Sequence, residues 1–102
     1  MRNRGKFETA SQFLACYFHQ DFSIEFEEPE AAVAQFIKDN DEARRAAVVR
    51  ELRQVITECG KQGLDDFIFE LGCYYNPERH RGILMRAWLE QVIAEIERSL
   101  SQ

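Results

Sequence analysis

The amino-acid sequence predicts an all-α protein, a compact orthogonal bundle of about five helices. Apolar residues recur at three-and-four spacing along almost the whole chain, which is the period of a helix with one buried face. The runs are of very unequal length and are separated by short loops, so the helices cannot all lie parallel and must cross at large angles. One hundred and two residues give room for a single core, burying about 60–65% of the unfolded surface.

Thr9 or Ser11 is placed to cap a first helix running to about His19, with Phe13, Leu14, Tyr17 and Phe18 on one stripe. Phe22-Ser23-Ile24-Glu25-Phe26 alternates apolar and polar residues, which suits a short extended connection. Pro29 fits the first position of a second helix, whose inward residues are Ala32, Val33, Phe36 and Ile37 and which Asp39-Asn40 ends. Asp41 caps a long third helix with the stripe Ala47, Val48, Leu52, Val55, Ile56 and Cys59, closed by Gly60. Asp65 is expected to cap a short fourth helix carrying Phe67, Ile68 and Leu71, with Gly72 at its end and Tyr74-Tyr75-Asn76-Pro77 as a turn. The clearest amphipathic helix starts near Ile83, with Leu84, Met85, Trp88, Leu89, Val92, Ile93, Ile96 and Leu100 as its stripe.

No linker, repeat or composition break divides the chain, which reads as one domain over residues 1–102 with residues 1–6 as a flexible lead. A composition of 45% apolar and 30% charged residues, with five Gly and two Pro, excludes collagen-like, low-complexity and disordered classes. No apolar run reaches the ~18 residues of a membrane span, and no apolar stretch of signal-peptide type follows Met1; the expected location is the cytoplasm. Cys16, Cys59 and Cys73 lack CxxC spacing, and each has apolar neighbours that suggest a buried, reduced thiol.

A net charge of −5 argues against sequence-independent binding to nucleic acid, which depends on Lys and Arg at phosphates. The charge is polarised. Between Gln20 and Glu42 eight acids face the single base Lys38, a local charge of −7, whereas Ala43 to Gln62 carries +3. Such a dipole bears on partners and association rates.

Catalytic and metal chemistry find no support in the spacing. His19 and Asp21 are two apart and do not share a helix face, and His19, His80 and the three cysteines form no paired ligand motif. The chain is read as a non-enzyme without cofactor or metal. Arg79-His80-Arg81 is a small basic knot, read in the first place as a solvated loop and only in the second as a holder of a phosphate or a carboxylate. The twelve aromatic residues exceed what one small core needs, and Phe69 with one of the adjacent tyrosines is expected to face away from the main stripe. An acidic run is ordinarily a solvated face, but Tyr beside acids is also the composition of an interface, and the acids of 21–30 border the Tyr17 and Phe22 end of helix one.

The string Leu14-Ala15-Cys16-Tyr17-Phe18-His19-Gln20-Asp21-Phe22, the acidic Ile24-Glu25-Phe26 stretch, Phe67 through Leu71-Gly72-Cys73-Tyr74-Tyr75-Asn76-Pro77, and Trp88-Leu89 resemble the small immunity proteins of bacterial contact-dependent growth inhibition systems. The likeness spans about Phe13 to Ile93. Where that family commonly has Trp after the Asp, this chain has Phe22. The resemblance implies a non-catalytic inhibitor, forming a one-to-one complex with the C-terminal toxin domain delivered by a neighbouring cell. Toxins of these systems are often nucleases, so it also implies a nuclease inhibitor that covers a basic active site with an acidic, aromatic-bordered surface. Neither nucleic acid nor membrane is an expected partner. The toxin-facing candidates are Tyr17, His19, Gln20, Asp21, Glu25, Glu27, Glu28, Tyr74 and Tyr75. For Tyr17, Phe18 and Gly72 the competing role is packing, and for Gln20 and Asp21 it is bracing the loop after helix one. A helical adaptor, or a nucleic-acid-mimicking regulator of a basic host protein, is the alternative function of the same acidic face.

Overall fold

A computed structural model describes residues 4–19, 28–59 and 63–100. They form a 3₁₀ turn at Arg4–Phe7 and six α-helices: α1 (Glu8–Tyr17), α2 (Pro29–Asp39), α3 (Glu42–Cys59), α4 (Leu64–Glu70), α5 (Pro77–Arg81) and α6 (Met85–Leu100). Local chemistry sets several of these ends. Pro29 occupies the first turn of α2, where its missing N–H costs nothing. Asp41 caps α3 by accepting the Arg44 N–H at 2.9 Å. Asn76 caps α5 through the Arg79 N–H at 3.1 Å, and Gly82 stops that helix in the left-handed region at φ 72°.

The paired helices α3 and α6 form the centre of the bundle, and α1 packs against α3. Val48, Leu52 and Val55 of α3 meet a core that includes Leu89, Val92 and Ile96 of α6, all almost fully buried. Between α1, α2 and α6 lies a chain of aromatic rings. Phe13 is 4.5 Å from Phe36 and 5.7 Å from Phe18, and Phe18 and Tyr75 each lie 5.0 Å from Trp88 between ring centroids. Tilted and edge-on pairs at these distances add to what burial of the rings already contributes. Trp88 is 2% exposed, so the largest side chain of the best amphipathic stripe is core.

Several details differ from the expectation. Pro77–Arg81 is a helix, not the continuation of a turn, because Asn76 and Gly82 bracket it with a start and a stop. Helix α1 begins ahead of both Thr9 and Ser11, and Phe7 at its N-cap offers no side-chain acceptor. The acceptor comes from α3: the Glu51 carboxylate, 8% exposed, takes the Ala10 N–H at 2.8 Å. Gly63, at φ 82°, occupies the N-cap of α4, which leaves Asp65 inside the first turn. Leu84 precedes α6 and is 65% exposed, outside the stripe. Cys16 is exposed while Cys59 and Cys73 are buried; on α1 the buried residues are Ala10, Phe13 and Leu14, and Cys16 points off that face. The expected Gly60 terminator and the Phe22–Phe26 connection lie outside the described residues.

Candidate functional site

The two motif stretches, far apart in sequence, meet at the end of α1. Phe18 is wholly buried, and its carbonyl accepts the Tyr74 N–H at 2.7 Å. Nearby, the Ser11 hydroxyl donates to the Leu71 carbonyl at 2.7 Å. Gly72 makes this approach possible. Its φ of 114° is unfavourable for any L side chain, and a Cβ there would stand 2.8 Å from the Ala15 Cβ. Beyond it the chain alternates: Cys73, Tyr75 and Pro77 are buried, Tyr74 and Asn76 exposed.

The sequence-derived candidates divide among different environments. Tyr17 is half-buried and donates its hydroxyl to Asp39 Oδ2 at 2.9 Å; burial, with this carboxylate beside it, holds its pKa above the ordinary tyrosine value. His19 lies half-buried two residues beyond the end of α1. Tyr75 is 5% exposed with its ring against Trp88, its hydroxyl 2.9 Å from His80 Nδ1, and its pKa raised by burial. Tyr74 is 53% exposed. Glu28 is exposed, whereas Gln20, Asp21, Glu25 and Glu27 lie outside the described residues.

The basic knot engages carboxylates of the chain itself. Arg81 reaches Glu28 at 2.6 Å and grips Glu30 with both terminal nitrogens at 2.5 and 2.7 Å, a forked arrangement that suits guanidinium. The Arg81 hydrogen bonds hold the Glu30 carboxyl below its usual pKa, and the two carboxylates raise that of Arg81. This clasp ties α5 to the start of α2. It also neutralises part of the acidic segment, so the charge available there is smaller than the composition suggests.

Sequence reasoning did not assemble the surface on the other side of the loop. Phe69 of α4, 56% exposed, stands edge-on to Tyr74 with centroids 5.0 Å apart. The two rings border a cleft of about 320 Å³ whose wall includes Asp65, Asp66, Asn76 and Arg79. The signal in the sequence was the position of Phe69, off the Phe67, Ile68, Leu71 stripe; what could not be read was that Tyr74, not Tyr75, would face it.

Among the described residues no three His, Cys, Asp or Glu side chains converge as metal ligands, and no helix is long and apolar enough to cross a membrane. The arrangement is one of exposed rings and carboxylates on a rigid helical frame, which suits recognition of another protein. Neither the curated proteins nor the solved structures give a match. The family model described as CdiI immunity protein matches residues 6–96, a span that holds both motif stretches and all but the last turn of α6. The chain belongs to the CdiI immunity protein family.

Proposed function

We propose that this protein binds the C-terminal toxin domain of its contact-dependent growth inhibition system in the cytoplasm, one to one, and neutralises it by covering the active site of a nuclease. The family match over residues 6–96 carries the reading of toxin neutralisation. The choice of a nuclease rests on charge: an active site that holds phosphates is basic, and the segment between Gln20 and Glu42, with eight acids against one base and, among the described residues, only Glu28 and Glu30 of them engaged by Arg81, would steer association with it. Tyr17, His19, Gln20, Asp21, Glu25, Glu27, Glu28, Tyr74 and Tyr75 are the proposed contributors, with buried Tyr75 acting by fixing the loop that presents Tyr74. An interface of ordinary size takes about 800 Å² from each partner, roughly an eighth of the 6254 Å² surface of this chain.

The test is calorimetric titration, at low and high salt, with the toxin domain encoded immediately upstream. Tight one-to-one binding weakened by salt is the expected result. Reversal of Glu25, Glu27 and Glu28 to Lys should slow association about tenfold or more with helical content unchanged, and unaltered kinetics would remove the acidic segment from the mechanism.

A further inference from the structure

Phe69 and Tyr74 are large aromatic side chains that remain more than half exposed, at 56% and 53%. Phe67 and Ile68 beside Phe69 on α4, and Leu71 just past the end of the helix, are at most 1% exposed, while Phe69 turns outward. Tyr74 is held in place by its backbone: its N–H is bonded to Phe18, and its neighbours Cys73 and Tyr75 are anchored in the core at 2% and 5% exposure. The alternation of the 73–77 segment turns its ring outward, where it meets the ring of Phe69. Two half-exposed rings are therefore fixed relative to each other before any partner arrives, and such pre-organisation lowers the cost of binding through them.

Charge defines the partner. The cleft beside the rings carries Asp65 and Asp66 against Arg79, and among the described residues neither aspartate takes part in a hydrogen bond or ion pair. Carboxylates left unpaired next to aromatic faces favour a long basic side chain, which gains from both. This patch is separate from Glu28 and Glu30, whose carboxylates Arg81 already engages.

We infer that Phe69 and Tyr74, with Asp65 and Asp66, form the docking site for a basic face of the cognate toxin domain, a lysine or arginine of which enters the cleft between the rings and the carboxylates. The inference rests on the immunity reading above and names the surface through which it acts.

The test compares the full chain with the Phe69→Ala/Tyr74→Ala variant in calorimetric titration against the upstream-encoded toxin domain. The expected result is tight one-to-one binding by the wild type and a Kd raised about 30-fold or more in the variant, the loss typical of removing an aromatic anchor. Radical footprinting of the wild-type complex supplies a readout independent of the variant's folding, and toxin should suppress oxidation of both rings. Wild-type binding that survives the double substitution within threefold, with both rings still oxidised in the complex, would overturn the docking site and leave the immunity reading intact. Absence of wild-type binding would overturn that reading itself. A wild-type dimer that the substitutions dissociate in sedimentation would assign the rings to a second copy of the chain and also overturn the proposal.

Discussion

Replacing Glu51 tests the most unusual interaction in the fold, a buried carboxylate that caps a helix to which it does not belong. Helix α1 has no side-chain cap of its own, and Glu51 of α3 supplies the acceptor for the Ala10 N–H at 2.8 Å. Ala10 is fully buried, so Glu51→Ala takes the acceptor away from a donor that solvent does not reach in the wild type. A hydrogen bond to a charged group contributes about 1.5–3 kcal/mol, and an orphaned buried donor costs about 1–3 kcal/mol; these are two views of one loss and are not additive. Favourable charge at the first turn of a helix adds up to about 1 kcal/mol. The expected destabilisation is about 2–3 kcal/mol, which for a domain of this size lowers the melting temperature by roughly 10–20 °C. Glu51→Gln keeps an acceptor oxygen and should lose only about 1 kcal/mol. Thermal and urea unfolding followed by circular dichroism measure both. Were Glu51→Ala to melt within about 3 °C of wild type, or the two variants to lose equal stability, the cap would not be the source of the contribution.

Gly72→Ala should destabilise by about 2–5 kcal/mol, since it combines strain at positive φ with overpacking against Ala15 at 2.8 Å; a urea midpoint equal to wild type would mean that α1 and the 73–77 segment can separate freely. Burial pushes the Cys73 thiol up to about 12 from 9.0, so its contribution is complete below pH 9 and is lost as pH rises towards 12, at up to about 1.4 kcal/mol per unit; Cys73→Ala should flatten the alkaline limb of stability, and an unchanged limb would refute this origin. In the native protein a thiol reagent should modify exposed Cys16 promptly and reach Cys59 and Cys73 only on unfolding, a difference read by mass spectrometry.

What the sequence could reveal of the fold follows from what periodicity records. The long helices were legible because their stripes repeat, as in α6, where Trp88, Leu89, Val92, Ile93 and Ile96 are all buried. Helix α5 buries only Pro77, so no stripe announces it, although its Asn-Pro start and Gly stop were present in the sequence. Glu51 is invisible to the same method: a charged residue within a helical pattern reads as solvent-facing, and only the approach of α1 to α3 shows what it does. Exposure of Cys16 was missed because apolar neighbours in sequence are not neighbours on a helix, where successive residues are turned by about 100°. At the candidate site the outward turn of Phe69 was legible and its pairing with Tyr74 was not, since the latter depends on how the 73–77 segment is pinned to Phe18.

The same contacts sort the motif residues by the role each is able to play. Phe18, Gly72 and Tyr75 bind the end of α1 to the loop before α5: one carbonyl, one absent Cβ and one buried ring do so whether or not a toxin is present. Residues fixed by such internal demands cannot also discriminate between toxins, because a substitution that altered specificity would first cost the fold. Discrimination is a difference between affinities and needs side chains that can vary freely, as Phe69, Tyr74, Asp65 and Asp66 can on an exposed surface. On the docking site proposed above, the substitutions that switch partner should therefore fall on the outward members of the alternating segment and α4, leaving their buried neighbours unchanged.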